Sequence, residues 1–183
     1  MKPIVHVPHD VLNTPAKTVT TFDKKLSNLV TDMIKTLKAT KRPKGVGLAA
    51  PQIGESYRVF ITKPSAKSEI RVFINPEIIG FSNDTSDKST VLEEDKKLEG
   101  CLSIPDIWGH VTRSNSVTIK FQDMDGTAHE EIITGFMATI VQHETDHTNG
   151  ILFSQRVVEQ HGKFFQTMTD KDGKEILEEI SIG

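Results

Sequence analysis

Cysteine is nearly absent from this sequence, which has a single one, at position 101, among 183 residues. One cysteine cannot form a disulfide within the chain, so small disulfide-stapled secreted scaffolds are excluded and a reducing compartment is favoured. Cys101 is then an inert packed side chain, a reactive thiol or a metal ligand. For a lone cysteine, a buried small hydrophobe is the more frequent of these.

Long apolar runs and an excess of charge of one sign are also lacking. No stretch of about 18 apolar residues exists, so the sequence predicts no transmembrane helix. The 22 basic and 25 acidic side chains leave a net charge of −3, which argues against the basic stripe of a nucleic-acid binder and against a polybasic membrane patch. The first eight residues, MKPIVHVP, have no apolar h-region and no Arg- and Ser-rich pattern, so we expect no targeting segment there.

Two segments have the spacing of helices. Residues 21–38 place apolar side chains at intervals of three and four, which predicts a helix with one buried stripe. Residues 135–149 predict a second helix, and Gly150 suits the left-handed residue that follows many helix ends. Polar residues at 82–97 indicate an exposed loop. The polar segment 154–183 has some helical spacing, so we expect a partly helical, solvated tail.

Short segments between the helices are typical of β-strands. β-branched and aromatic residues fill 58–62 and 71–74, and an Asn-Pro pair is expected to end the second segment. Residues 117–121 and 130–134 flank an Asp-Gly turn and predict a hairpin. The order of helix, short strands and helix indicates an α+β fold, in which mostly antiparallel strands pack around a central helix.

The second predicted helix contains the sequence His143-Glu144-Thr145-Asp146-His147. Residues four apart lie on one face of a helix, so His143 and His147 are able to bind one metal ion. Glu144 is rotated by about 100° from His143, and from there a carboxylate can handle the proton of a metal-activated water. A surface helix with two titrating histidines is the alternative.

Two histidines leave a catalytic metal one protein ligand short, and the sequence offers two sources for the third. One source is downstream, as in zincin-type peptidases, although none of these residues has a recognised zincin spacing: His161, Glu159, Glu175, Glu178 and Glu179. The other source is Cys101, because a thiolate is a strong ligand for borderline metals. One cysteine and two histidines leave one coordination position open, as catalytic zinc sites do.

A third feature is the segment Gly45–Gln52, with the sequence GVGLAAPQ. Gly45 and Gly47 allow another backbone to approach closely, as at the edge of a groove that receives an extended peptide. The Gln52 side chain offers a neutral amide donor that can stabilise an oxyanion. As a phosphate-binding loop the segment fails, since it has no Gly-Lys-Ser/Thr. A plain tight turn is the alternative.

Three segments, in this order, resemble the signature motifs of the peptide deformylase family. They are GVGLAAPQ at Gly45–Gln52, EGCLS at Glu99–Ser103 and QHETDH at Gln142–His147. The resemblance covers most of the chain up to about Phe153 and leaves out the 82–97 loop and the tail. Residues 106–110, DIWGH, depart from the family pattern, and we expect them to shape the rim of the groove.

The resemblance implies a metal-dependent hydrolase that removes the N-formyl group from the formyl-methionine of nascent polypeptides and releases formate. The implied metal ligands are Cys101, His143 and His147. They would hold one divalent ion, Fe²⁺ in cells, which Zn²⁺, Ni²⁺ or Co²⁺ can replace in purified protein. The implied partners are formylmethionyl peptides and, transiently, the ribosome exit region, with no sequence-specific nucleic acid and no membrane. The implied location is the cytoplasm of a bacterial-type cell, and an organellar origin stays open.

The resemblance also implies roles around the metal. Glu144 would be the base that later returns its proton to the leaving amine. The Gln52 amide and the Leu102 backbone N–H would share the negative charge that develops on the formyl oxygen. Glu99 would pair with Arg113 behind the metal ligands.

The substrate is expected to lie in a tight groove. Gly45, Val46 and Gly47 would receive the peptide backbone by strand addition. The methionine pocket is expected beside Val46, Leu102 and Ile140. In this interpretation residues 1–183 form a single catalytic domain. Two other interpretations stay open: a zincin-like endopeptidase that does not need the cysteine, and a relative that binds metal or formyl-peptide without turnover.

Overall fold

The computed structural model describes residues 1–41, 44–85 and 98–181. Over these residues three α-helices and nine β-strands form. The helices are α1 (Lys24–Ala39), α2 (Gly135–Thr148) and α3 (Phe153–Glu159). The strands are β1 (Gly47–Ala49), β2 (Val59–Thr62), β3 (Arg71–Phe81), β4 (Leu98–Cys101), β5 (Ile104–His110), β6 (Ser116–Gln122), β7 (Ala128–Thr134), β8 (Phe164–Thr169) and β9 (Glu175–Ile180). Within the same three ranges, no helix has both the length and the apolar character to cross a membrane.

The strands form two antiparallel sheets. The first has the order β1-β2-β3-β6-β7, and the second has the order β4-β5-β8-β9. Among the described strands, β1 and β4 each lie at an edge of their sheet. The predicted α+β class, with antiparallel strands and a central helix, is confirmed. Of the loop predicted at 82–97, residues 86–97 lie outside the described residues.

Helix α1 begins where a side chain caps it. Asp23 Oδ1 accepts hydrogen bonds from the backbone N–H groups of Lys25 and Leu26, at 2.8 and 3.1 Å, and an aspartate cap satisfies donors that would otherwise be orphaned. The predicted start at residue 21 is therefore three residues early. The predicted apolar stripe is confirmed, since Leu26, Met33 and Leu37 are buried in a cluster with β1 and β2 residues.

Helix α2 is buried on nearly every side. One face packs on the first sheet, where Ala138 and Val141 join a cluster that includes Phe60 and Phe73, whose rings stack at 4.6 Å. The face that carries the motif is also buried but polar. The helix ends before Gly150, whose φ is +73° and whose Cβ would lie 2.7 Å from a backbone carbon of Thr14. Glycine is required there by both conformation and space.

Strand β3 does not end at the Asn-Pro pair, so that prediction is wrong. Asn75 has φ +51°, and its side chain accepts from Val19 N at 2.8 Å and donates to Val19 O at 2.9 Å. The pairing register with β6 shifts between Ile74 and Glu77. Such a bulge takes up a proline, which cannot donate to the ladder, and the strand continues beyond it.

The tail is more ordered than a solvated appendage. After α3, strand β8 pairs with β5, and β9 pairs with β8. Phe153, Val157 and Phe164 form a buried cluster with Cys101. The last strands therefore complete the sheet that carries the cysteine.

Candidate active site

Two elements bring three metal-ligating side chains together. Cys101 ends β4, and His143 and His147 project from one face of α2. Their ligand atoms all lie within 4.8 Å of one another. Cys101 Sγ lies 3.2 Å from His147 Nε2, and the two imidazole centroids are 4.9 Å apart. The structure therefore places the cysteine of one predicted motif beside the two histidines of another, at a single site.

The ion pair between Glu99 and Arg113 orients His143. The Nδ1 atom of His143 lies 3.1 Å from Glu99 Oε2, so Nε2 is the ring nitrogen left for a metal ion. Arg113 donates to both oxygens of the same carboxylate, at 2.8 and 3.0 Å. The predicted pairing of Glu99 with Arg113 thus has a bidentate geometry. A carboxylate behind a ligating histidine fixes its tautomer and raises its basicity.

The ion pair continues to residues that the sequence reasoning did not assign. Arg113 Nη1 donates to Asp146 Oδ2 at 2.7 Å, and Arg156 of α3 donates to both Asp146 oxygens, at 2.7 and 3.1 Å. Asp146 follows His143 by three residues, so the two side chains lie on the same face of the helix. This spacing is visible in the sequence and could have identified Asp146. Arg156 is ten residues further on, and its partnership depends on the turn between α2 and α3.

Burial and charge set the pKa values of these groups. Burial raises the pKa of the Cys101 thiol, but the nearby His147 and His143 outweigh that effect, so the pKa lies well below its usual range. Burial also acts against ionisation of Glu99, yet His143 and Arg113 lower the pKa of that carboxyl to about 2. The site therefore holds a thiolate and an ionised carboxylate in an enclosed place, where positive charge is strongly favoured.

Glu144 is a buried carboxyl group, one oxygen of which receives no hydrogen bond from the described residues. The residue is 4% exposed, and the oxygen is Oε2. Burial raises the pKa of Glu144 to about 7, despite the neighbouring histidines. A Cβ on Gly47 would lie 2.3 Å from Glu144 Oε1. The glycine of β1 thus leaves the space that this carboxylate occupies.

Gln52 points its amide at the thiolate. It lies in a short 3₁₀ turn, Ala50–Ile53, directly after β1. Its Oε1 accepts from Ala49 N at 2.9 Å, so Nε2 is the end that faces Cys101 Sγ and Ser103 Oγ, each at 3.4 Å. The backbone hydrogen bond fixes which end of the amide is the donor. Ser103 was not among the predicted residues.

A cavity of about 850 Å³ opens beside these groups. The predicted site residues that line it are Gly45, Val46, Gly47, Gln52, Glu99, Cys101, Leu102, Ile140, His143 and Glu144. His147 and Arg113 lie behind this wall. The cavity therefore runs between the edge strands β1 and β4, with the buried thiolate at its inner end. It is also lined by Trp108 and His110, from the segment expected at the groove rim.

The donor set fits a divalent metal ion. One thiolate sulfur and two imidazole nitrogens converge in an enclosed place, which is a set that borderline metals favour. His161 and the tail glutamates, the zincin-type candidates for the third ligand, are not part of this cluster of described residues. The structure thus brings Cys101 to the histidines.

The arrangement defines a class of protein, a metal-binding hydrolase with a Cys-His-His site and a carboxylate beside it. The family model described as polypeptide deformylase matches residues 1–163. A peptide deformylase from Chromobacterium violaceum is 39% identical over 173 residues, which cover 94% of this chain and 96% of that protein. One from Dictyoglomus thermophilum is 40% identical over 150 residues, covering 82% and 88% of the two chains.

Solved structures give the same result. Peptide deformylase from Thermotoga maritima superposes with a TM-score of 0.74 at 36% identity, covering 86% of this chain and 97% of that one. A Met-Ala-Ser-bound structure of class I type b peptide deformylase from Acinetobacter baumannii gives a TM-score of 0.73 at 34% identity, with 86% and 98% covered. This chain belongs to the peptide deformylase family.

Proposed function

We propose that this protein hydrolyses the formyl group from the N-terminal formyl-methionine of nascent peptides, releasing formate and a free amino terminus. One observation carries the proposal: a largely buried Cys-His-His cluster borders a cavity, beside a buried carboxyl group whose Oε2 has no hydrogen-bond partner among the described residues. The family membership of the chain agrees with it. The zincin-like alternative has less support, because the side chain that lies with the two histidines is that of Cys101 and not that of a downstream residue among those described.

The substrate backbone fits between the two sheets. β1 and β4 are edge strands among the described elements, and both Gly45–Gly47 and Leu98–Leu102 line the cavity. An extended peptide is able to pair with exposed strand edges on either side. A Cβ on Gly45 would lie 2.7 Å from the Leu37 side chain and 3.0 Å from that of Leu102, so packing leaves no room for a side chain at this position of the groove.

Glu144 is proposed as the group that moves protons during hydrolysis. It lines the cavity and is adjacent in the chain to His143, so it reaches both the attacking water and the amide nitrogen that leaves. It takes a proton from the water and later gives one to that nitrogen, which becomes the free amine of methionine. Since no described residue donates a hydrogen bond to its Oε2, this oxygen is available for the transfer.

Gln52 and Leu102 are proposed to stabilise the negative charge on the formyl oxygen. The Gln52 amide already points its N–H groups at Cys101 and Ser103. Leu102 follows Cys101 directly, so its backbone N–H lies next to the thiolate ligand. Donors fixed in place before the reaction stabilise a developing oxyanion without reorganisation, each by about 2.7–4 kcal/mol.

Cys101, His143 and His147 are proposed to hold the metal, with Fe²⁺ as the native ion and Zn²⁺, Ni²⁺ or Co²⁺ as replacements. When bound, a divalent metal supplies Lewis acidity toward the formyl oxygen and lowers the pKa of water. A thiolate and Fe²⁺ are both lost to oxidation, which supports a reducing, cytoplasmic location. Transient contact with the ribosome exit region is proposed from the nature of the substrate.

Formate release from formyl-Met-Ala-Ser tests the proposed function directly. Protein purified without oxygen is expected to release formate, and Glu144→Gln is expected to keep its metal while losing this activity. The metal content of each sample is measured by mass spectrometry, so that loss of metal and loss of the base are distinguished. A metal-loaded parent protein that releases no formate would contradict the proposal, and an active Glu144→Gln would remove only the assigned base.

A further inference from the structure

Trp108 is the single tryptophan of the chain, and it lies beside the groove. In β5 it pairs with Gly100 of β4 on one side and with Phe165 of β8 on the other. A Cβ on Gly100 would lie 2.7 Å from two ring carbons of Trp108. The indole therefore lies over the Gly100 backbone, and the glycine lets the ring extend across β4 to line the cavity.

The hairpin formed by β8 and β9 holds the Trp108 ring in place. Trp108 Nε1 donates a hydrogen bond to Thr167 Oγ1 at 2.8 Å. Phe165 contacts the His110 ring edge-on, with centroids 5.2 Å apart. Both Phe165 and Thr167 lie beyond residue 163, the last residue that the family model matches. The aromatic surface formed by Trp108, His110 and Phe165 is thus built partly from residues outside the segment that the family model matches.

The aromatic surface lies on the face of the second sheet that points away from the helices. Gly109, next to Trp108, marks the opposite face, since its Cβ would lie 2.5 Å from Val157 Cγ2 of α3. Glu99 pairs with Gly109 and contacts His143 of α2 on that same inner face. Because neighbouring residues of a strand point to opposite faces, Trp108 points outward.

A peptide added as a strand beside β4 follows the same alternation. With its methionine side chain directed to Ile140 of α2, the next side chain points to the outer face. That is the face of Trp108. We propose, on the basis of the proposed function, that Trp108 binds the side chain of the second residue of formyl-methionyl peptides and favours an aromatic side chain at that position.

Paired peptides test this preference. The parent protein is expected to have a kcat/KM for formyl-Met-Phe-Ser about 3- to 10-fold above that for formyl-Met-Ala-Ser, which is the size of an aromatic contact. Trp108→Ala is expected to bring this ratio close to one, and Thr167→Val to lower it part of the way. Phe81→Ala is the matched control, since Phe81 is a 62% exposed aromatic residue of β3 outside the cavity lining, and it should keep the parent ratio.

Fluorescence gives a second measurement without turnover. Because Trp108 is the only tryptophan, binding of the product peptide Met-Phe-Ser should change the emission more than binding of Met-Ala-Ser does. Equal ratios in the parent, Thr167→Val and Trp108→Ala proteins would overturn the proposal, as would unchanged emission when Met-Phe-Ser saturates the site. Absence of formate from both substrates would instead count against the proposed function, and the emission change would still test Trp108.

Discussion

Replacing Gly47 by alanine tests whether Glu144 acts from the position in which the structure holds it. A Cβ at residue 47 would lie 2.3 Å from Glu144 Oε1 and 2.7 Å from its Cδ. Ordinary contacts begin near 3.4 Å, so the carboxylate has to move by about 1 Å, a misplacement that is large for a reacting group. Glu144 is buried, and this movement therefore displaces other packed atoms.

The expected result is a loss of turnover that exceeds the loss of stability. A misplacement of about 1 Å costs about 100-fold in rate, so kcat for formate release should fall by about that factor. Overpacking costs about 1–3 kcal/mol in the free energy of unfolding. The three atoms closest to the new methyl group all belong to Glu144, and the metal content should therefore stay that of the parent.

Three measurements on the same sample separate these effects. Formate is followed with formate dehydrogenase, metal by mass spectrometry and stability by thermal unfolding. Gly80→Ala is the control, because its Cβ in β3 would lie 3.3 Å from Thr118 Oγ1, a tight contact away from the cavity. A folded, metal-loaded Gly47→Ala protein with parental kcat would refute the assignment of Glu144.

Three further predictions concern the metal ligands and the charges behind them. Cys101→Ala should lose stoichiometric metal, measured after anaerobic purification, since it removes the anionic donor; full metal together with cleavage of internal peptide bonds would favour an endopeptidase. Chelation of the metal should lower the thermal midpoint, because an ion that binds the folded state stabilises it; a midpoint unchanged by chelator would contradict this. Arg113→Ala should lower the free energy of unfolding by about 3 kcal/mol, since Glu99 and Asp146 both lose this buried cation and, among the described residues, keep only His143 and Arg156 as partners. Arg71→Ala, which breaks an exposed pair with Glu131, should cost about 0–1 kcal/mol; denaturant titrations compare the two.

The sequence predicted the parts of the fold that depend on local periodicity. Helices α1 and α2 and the β6–β7 hairpin lie where the spacing of apolar residues and the Asp-Gly turn placed them. β3 was cut short because an Asn-Pro pair usually ends a strand, and only the contacts of Asn75 with Val19 show how a bulge carries the strand onward. The β8–β9 hairpin was missed since its exposed residues are mostly polar and its pairing with β5 is not local.

The metal cluster was predictable because its residues belong to recognisable motifs. The i, i+4 spacing on a helix predicted His143 and His147 as metal ligands, and the resemblance to the family motifs implied Cys101 as the third. The contact between Gly47 and Glu144 was not predictable, since it joins residues 97 positions apart in the sequence. The contacts of Arg156 and Thr167 were not predicted either. Their partners are Asp146 and Trp108, and only the packing of the tail brings these residues together.

The strand order of the second sheet has a consequence for biosynthesis. Cys101 lies on β4, but the sheet that holds β4 is completed by β8 and β9, which are synthesised after it. Long-range pairing of this kind forms only once the distant segment is available. We therefore expect the thiolate and the two histidines to assemble only after synthesis of the β8–β9 hairpin, so that metal loading follows synthesis of these strands.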